Sequence, residues 1–268
     1  MAKKVRAIIL RTAGTNCDQE TAFAFRDSGA DVELVHVNYL FQKVKRLDDY
    51  HILAIAGGFS YGDDISAGRI LANELRLKLG QDIARFIKDG KLIIGICNGF
   101  QVLVKAGILP GSQGPDLKRE EFVQQATLTT NDSGKFEDRW TYLKVSGRCA
   151  WTTGMEGIVY FPVAHGEGKF VCQNKRILRG IQDNDQVVFR YCAQDGRKTD
   201  YPGNPNGSCD EIAGITDATG HILGLMPHPE RHFLFTQHPF WTRLAKKSRY
   251  GDGARVFQNG VTYIKKHC

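Results

Sequence analysis

Leu92-Ile93-Ile94-Gly95-Ile96-Cys97-Asn98-Gly99-Phe100-Gln101 runs from an apolar stretch, through a single thiol, into a helical pattern. The spacing predicts a buried strand that ends abruptly at Cys97 and turns straight into a helix. Gly95 and Gly99 stand two positions to either side of the cysteine, so the turn reads G-x-C-x-G, the cysteine form of a nucleophile elbow. Such a corner needs small neighbours, because the nucleophile is held in a strained conformation and side chains on the flanking positions would collide across the turn. The helix that follows aims its N-terminus at the sulfur, which favours thiolate. A free cysteine closing a core strand is also a common small hydrophobe. The reading as a nucleophile therefore requires a base and an oxyanion site elsewhere in the chain.

Outward from this corner, short apolar runs alternate with helical patterns. The first hundred residues predict strands at Val5 to Leu10, Val32 to Val37, His51 to Ala56 and Lys91 to Cys97. Between them the pattern predicts a helix over Asp18 to Ser28, closed by Gly29, and a long amphipathic helix over Arg69 to Lys88, stopped at Gly90. Strand–helix–strand repeats of this spacing imply right-handed crossovers and a parallel sheet covered by helices on both faces. Functional loops of such sheets lie at the carboxyl ends of the strands, where Gly57-Gly58 and Cys97 both fall. Beyond Pro110 the texture changes to strand-like segments near Phe122–Thr130, Trp140–Ser146, Gly157–Pro162, Lys169–Cys172 and Gln186–Cys192, separated by turn residues. Ile212–Thr216 and His221–Leu225 flank Asp217–Gly220 as a hairpin, and Ala254 to Lys265 reads as a last helix. With no Pro- or Ser-rich linker between the halves, residues 1–268 are expected to form one domain, with an extension from about 232 to 268 packed on it.

Composition narrows the function. The 268 residues are 42% hydrophobic and 24% charged, ordinary for a globular chain that buries a core. No apolar run reaches the roughly 18 residues of a membrane span, and the basic start leads into a first strand rather than a signal peptide. Seven cysteines without a C-x-x-C pair suit a reducing cytoplasm and give no zinc framework, and eight dispersed histidines suggest no metal site. The net charge of +7 is spread over Lys43-Lys45-Arg46, Arg243-Lys246-Lys247-Arg249 and Lys265-Lys266, without interleaved aromatics. That distribution argues against a nucleic-acid site and for solvated faces or a surface for an acidic partner.

Two further strand ends carry candidate chemistry. Met226-Pro227-His228-Pro229-Glu230 follows the last apolar strand, and in an extended segment His228 and Glu230 would point to the same side. Glu230 would then fix the imidazole tautomer while its other nitrogen faces a sulfur, a Cys–His–acid arrangement. A Pro-rich turn with a solvated glutamate is the plainer alternative. Ala56-Gly57-Gly58-Phe59 ends another strand, where the Gly58 N–H, with that of Asn98, would serve a developing oxyanion; a simple Gly-Gly turn is again the alternative.

Taken together, G-G, then G-x-C-x-G, then H-P-E, each at a strand end, resembles the class I (triad) glutamine amidotransferases. Gly14-Thr15-Asn16-Cys17-Asp18, Gly57-Gly58-Phe59-Ser60-Tyr61-Gly62-Asp63, His165-Gly166-Glu167-Gly168, Asn204-Pro205-Asn206-Gly207-Ser208 and Gly224 to Arg231 are similar to one branch of them. That branch is the family of glutaminase subunits of phosphoribosylformylglycinamidine synthase, and the likeness covers essentially the whole chain. It implies a flavodoxin-like α/β fold, a central mostly parallel sheet flanked by helices with an antiparallel extension. It also implies Cys97 as nucleophile, His228 as general acid/base, Glu230 as its orienter, and Gly58 and Asn98 as the oxyanion hole. Gly57, Gln101, His165 and Gly166 fall where such enzymes hold L-glutamine. Ala56 stands where many relatives have proline. Thr130 stands where an arginine is common, which leaves the role of Asn131-Asp132-Ser133-Gly134 open.

The implied reaction is hydrolysis of glutamine to glutamate and ammonia through a glutamyl thioester. The ammonia would pass to a synthetase subunit that uses Mg-ATP to convert formylglycinamide ribonucleotide (FGAR) to formylglycinamidine ribonucleotide (FGAM) in purine biosynthesis, and a small third subunit is a further implied partner. No G-x-x-x-x-G-K-[ST] loop occurs in the chain, so no cofactor is expected here and ATP is expected on the partner. Another triad glutaminase or γ-glutamyl hydrolase, a non-catalytic flavodoxin-like module and a redox-sensing cysteine protein are the competing readings.

Overall fold

Every residue of Leu92–Ile96 (β4) is buried, which a strand achieves only in the interior of a sheet covered on both faces. Ile52–Ile55 (β3), equally buried, pairs with it in parallel on one side. Arg6–Arg11 (β1) and Asp31–His36 (β2) extend the parallel set beyond β3. The computed structural model describes residues 4–111, 122–147, 149–245 and 248–267. The crossovers are Asp18–Asp27 (α1), Arg69–Lys88 (α3) and Asn98–Lys105 (α4), with the short Val37–Phe41 (α2) after β2. In α3 the buried residues are Leu71, Ala72, Leu75, Leu79, Ile83 and Phe86, the three-and-four spacing of one apolar face. Among the described residues no helix is long and apolar enough to cross a membrane.

The sheet changes character at Ile222–Leu225 (β11). This strand runs parallel to β4 on one side and antiparallel to Ile212–Thr216 (β10) on the other. From β10 the sheet continues antiparallel through Val187–Cys192 (β9), Glu137–Val145 (β6) and Ile158–His165 (β7), giving the order β2-β1-β3-β4-β11-β10-β9-β6-β7. The expected β10–β11 hairpin forms, and its second strand also joins the parallel half. Ala126–Thr129 (β5) and Lys169–Cys172 (β8) leave the main sheet and pair as a separate ribbon.

β7 continues past the expected end at Pro162 to His165. Pro162 is tolerated because β7 is an edge strand, where a missing backbone donor breaks no ladder bond. Periodicity did not reveal α2 or Lys175–Asp183 (α5). The latter buries only Ile181 and is anchored by its Asn174 cap, whose Oδ1 accepts from Ile177 N at 3.0 Å. The closing helix Ala254–His267 (α6) packs on α1, with Phe257 against Phe25 edge-on at 5.0 Å. Of the basic clusters, Lys246 and Lys247 lie outside the described residues, and Arg46, Lys45 and Arg249 are ion-paired to Asp48, Glu33 and Asp27.

Candidate active site

Cys97 sits at the corner between β4 and α4 with φ +52° and ψ −105°, a backbone state that costs a non-glycine residue about 1–3 kcal/mol. The close approach that enforces it is visible in its neighbours. A Cβ on Gly99 would lie 1.9 Å from the Ile55 carbonyl oxygen, and one on Gly95 would lie 2.5 Å from Leu103 Cδ1. The corner is held by Cys97 N–H donating to Leu225 O at 2.8 Å, which ties the elbow to β11. Its Sγ lies 3.6 Å from Ala164 O and faces a cavity.

At the end of β3 the Gly57 carbonyl accepts from Asn16 N (3.3 Å) and Cys17 N (3.1 Å), while Phe59 N donates to Gly14 O at 2.9 Å. The 14–18 loop thus clamps the Gly-Gly turn from both sides. Gly58 has φ +141°, and a Cβ there would come 2.6 Å from Gly14 O, so glycine is required. Gly58 and Cys97 line the same cavity. The Asn98 N–H belongs to the first turn of α4 and has no acceptor within the helix. The Asn98 side chain is occupied: Oδ1 accepts from Ser60 N at 3.2 Å, and Nδ2 donates to Asp63 Oδ1 (3.1 Å) and Gln101 Oε1 (2.9 Å).

At the end of β11, His228 N–H donates to Pro162 O at 2.8 Å, so the edge strand β7 sets the height of the imidazole. The expectation of an extended His-x-Glu segment is corrected here. Pro229–His232 is a 3₁₀ turn, and the turn rather than strand alternation folds Glu230 back onto the ring. His228 Nδ1–H donates to Glu230 Oε1 at 2.6 Å, which leaves Nε2 as the nitrogen free to act. Burial works against charge on this ring, but the Glu230 carboxylate and the Cys97 sulfur attract the imidazolium and raise His228 well above its ordinary value. His228 Nε2 and Glu230 Oε2 have no hydrogen-bond partner among the described residues.

Two cavities of about 150 Å³ each share Gly58, Phe59, Cys97, Phe136 and Ala164. One reaches Cys17, His228 and Arg231; the other reaches Asp63, Gln101 and the 165–167 segment. A roomier hollow of about 470 Å³ lies among Lys43, Arg46 and Arg85, but it holds no reactive group and its arginines are ion-paired to Asp48 and Asp82.

With that geometry in place, comparison with known proteins is direct. The family model for the CobB/CobQ-like glutamine amidotransferase domain matches residues 4–264. A phosphoribosylformylglycinamidine synthase subunit PurQ from Dehalococcoides mccartyi is 49% identical, covering 98% of this chain and 99% of its own length. The chain belongs to this glutamine amidotransferase family. A PurQ subunit from Archaeoglobus fulgidus is 42% identical over 98% of both chains. Among solved structures, PurLQS from Thermotoga maritima contains a chain 31% identical with TM-score 0.73, covering 98% of this chain and 100% of that one. The fold is therefore the flavodoxin-like α/β fold of class I glutamine amidotransferases, its parallel half carrying the reactive strand ends.

The family's other signature segments meet behind the cavity wall. Asn131 Nδ2 donates to His165 O and Lys135 O, both at 2.8 Å, and its Oδ1 accepts from Gly168 N at 2.9 Å. That orientation makes His165 Nδ1 the donor to Asn131 Oδ1 at 3.2 Å and leaves Nε2 to accept from Asn206 Nδ2 at 3.4 Å. Asn206 Oδ1 in turn accepts from Ser208 N–H (3.0 Å) and Oγ–H (2.7 Å). Asn131 thus joins the HGEG and NPNGS segments despite Thr130 at the preceding position.

The expected glutamine-holding residues take different places. Gln101, His165 and Gly166 line the second cavity. The Gln101 amide is engaged at both ends, since Nε2 donates to Glu167 O at 2.6 Å. Gly57 packs against the His228 ring, and a Cβ there would come 2.9 Å from His228 Cε1.

Sequence reading gave no role to Cys17, Arg231 or Lys105, although Cys17 and Arg231 stand in segments similar to the family. Lys105, buried at the end of α4, donates to Ala67 O at 2.6 Å and pairs with Glu167 at 3.2 Å, tying the loop after Gly58 to the HGEG segment. Its only signal in the sequence was a lysine directly after the apolar run Val102-Leu103-Val104.

Proposed function

We propose that this chain hydrolyses L-glutamine with Cys97, His228 and Glu230 and delivers the ammonia to a partner synthetase. One observation carries the reading. The thiol on a strained corner shares a cavity with an imidazole whose far nitrogen is held by a buried carboxylate at 2.6 Å.

The Cys97 thiolate attacks the side-chain carbonyl carbon of glutamine, and the electron pair displaced onto oxygen is received by the N–H groups of Gly58 and Asn98. Imidazolium His228 gives its Nε2 proton to the departing nitrogen, so ammonia leaves and a glutamyl thioester remains. Water then adds to the thioester while His228 takes its proton. Collapse releases glutamate and restores the thiolate–imidazolium pair. Glu230 holds Nδ1–H throughout, fixing the tautomer and stabilising the charged ring. Gln101, His165 and Gly166 form the wall against which the amino-acid end of glutamine lies.

The relatives' names support the destination of the ammonia: phosphoribosylformylglycinamidine synthase, in which a synthetase using Mg-ATP makes FGAM from FGAR in the cytoplasm. An assembly of the PurLQS kind supplies that synthetase and a small third subunit.

The test measures glutamine hydrolysis by the full chain alone and with the synthetase, FGAR and Mg-ATP. Turnover should be low alone and rise sharply in the complex. Cys97→Ala should abolish glutamine-dependent FGAM synthesis while synthesis from added ammonium persists. Equal turnover with and without the synthetase, or a Cys97→Ala protein that still uses glutamine, overturns the proposal.

A further inference from the structure

Cys17 has no part in the reaction just described, yet its thiol lies against the catalytic pair. Its Sγ is 4.0 Å from His228 Nδ1, and the ligand atoms of Cys17, His228 and Glu230 all lie within 4.8 Å of one another, with all three residues buried. Thiol, imidazole and carboxylate are the donor types that Zn²⁺ and its softer neighbours take as three protein ligands, with a fourth position left for water.

A second observation points the same way. Glu230 Oε2 is a buried carboxylate oxygen without a hydrogen-bond partner among the described residues, on a side chain only 1% exposed. Atoms in that condition carry an unrecovered desolvation cost that a bound ion or water would relieve.

The charges are compatible. Burial pushes the Cys17 thiol above its ordinary value against the pull of Arg231, whose Nη2 donates to Cys17 Sγ at 3.1 Å and whose guanidinium is shared with Glu20 at 3.3 Å, so the sulfur meets a metal as a thiol and gives up its proton on binding. Once both protons have left, the Cys17 thiolate and the Glu230 carboxylate face one guanidinium and a neutral imidazole, a set whose net negative charge suits a dication. Access exists as well, because Cys17 and His228 line the same cavity as Cys97.

We propose that a thiophilic divalent cation of the Zn²⁺ class binds between Cys17 Sγ, His228 Nδ1 and a Glu230 carboxylate oxygen, and thereby switches the enzyme off. The inhibition rests on the glutaminase reading; the binding does not. As the metal–sulfur and metal–nitrogen bonds form, the Cys17 S–H and His228 Nδ1–H bonds break and both protons pass to water. The ring then carries metal on Nδ1 and hydrogen on Nε2, with no lone pair left to accept a proton. Tetrahedral bonds of about 2.0–2.3 Å open the present 2.6 Å Nδ1···Oε1 separation to about 3.3 Å and close the 4.0 Å sulfur–nitrogen gap to about 3.5 Å, adjustments well under 1 Å.

The experiment uses Co²⁺ as a spectroscopic stand-in for Zn²⁺ on the full chain, reading thiolate-to-metal charge-transfer absorption. In parallel, Zn²⁺ is titrated against glutamine hydrolysis by the synthetase complex. Cys97→Ala should keep the Co²⁺ band although it is inactive. Cys17→Ala should keep hydrolysis within about threefold, lose the band and need at least about tenfold more Zn²⁺ for inhibition. Where Cys17→Ala proves insoluble, Cys17→Ser serves with the same expectations. A band that survives Cys17→Ala but disappears in Cys97→Ala, or unchanged Zn²⁺ sensitivity in the Cys17 variant, overturns the proposal. A chain that shows the Cys17-dependent band yet never hydrolyses glutamine upholds the site and sinks the function.

Discussion

His228 and His165 are each 2% exposed and stand at or just past the ends of β11 and β7, which the His228 N–H to Pro162 O bond brings together, yet they settle in different charge states. Burial disfavours charge on both rings. For His165 it acts against amide and backbone partners only and is reinforced by the nearby positive His228, which together lower it to about 3, so the ring is neutral. For His228 the same burial is overcome by the Glu230 carboxylate at 2.6 Å and the Cys97 sulfur, which raise it well above its ordinary value. The difference teaches that the partner, not the depth, decides whether a buried histidine is charged or neutral. It extends to the surroundings. The ring nitrogens of His165 are both engaged by asparagine side chains, whereas the His228–Glu230 pair keeps two buried polar atoms unpaired.

Glu230→Gln breaks the comparison most severely, by giving His228 the amide surroundings of His165. Turnover of the synthetase complex should fall by about three to four orders of magnitude. The alkaline limb of the residual rate should move to lower pH, because the attraction holding the His228 proton is gone. The sign follows from the raised value in the folded chain. His228 contributes stability below the ordinary imidazole range, and that contribution is lost as pH rises through the raised value. An unshifted limb contradicts the assignment of Glu230 as the cause.

His165 sharpens the comparison through stability rather than rate. Its ring binds a proton in the unfolded chain near pH 6.5 but in the folded chain only near about 3, so stability falls as pH drops between those values, by up to about 1.4 kcal/mol per pH unit. His165→Gln should flatten the pH dependence of the urea midpoint between pH 6.5 and 5. An unchanged slope would place that acid sensitivity elsewhere.

The smallest effect is expected at the mouth both cavities share. Phe59 and Phe136, 44% and 53% exposed with ring centroids 6.3 Å apart, line both cavities together with Cys97. Phe136→Ala should raise KM for glutamine a few-fold with kcat nearly unchanged, the signature of lost uniform binding. An equal fall in kcat would mean that the ring shapes the transition state.

The reach of the sequence varied by region for physical reasons. The elbow was legible because a strained cysteine needs glycine on both sides, and Gly95 and Gly99 record that need in the chain itself. The α3 boundaries were legible because its apolar face repeats over twenty residues. By contrast, α5 buries one residue and left almost no periodic trace. His228 and Glu230 were legible as a pair, but the 3₁₀ turn joining them was not, since two prolines are compatible with either an extended or a turned backbone.

By itself the sequence determined which residues could react: one thiol on a glycine-flanked corner, a Gly-Gly strand end and a His-x-Glu segment, because these encode backbone requirements that are local. Only the tertiary structure decided their company. It set His228 at the height of the Pro162 carbonyl, chose which histidine carries charge, wired Asn131 to Asn206 through His165, and brought Cys17 from the far end of the chain against the His228 ring. Those outcomes depend on long-range strand order and on the dielectric and charge that packing creates, and no local stretch of sequence carries them.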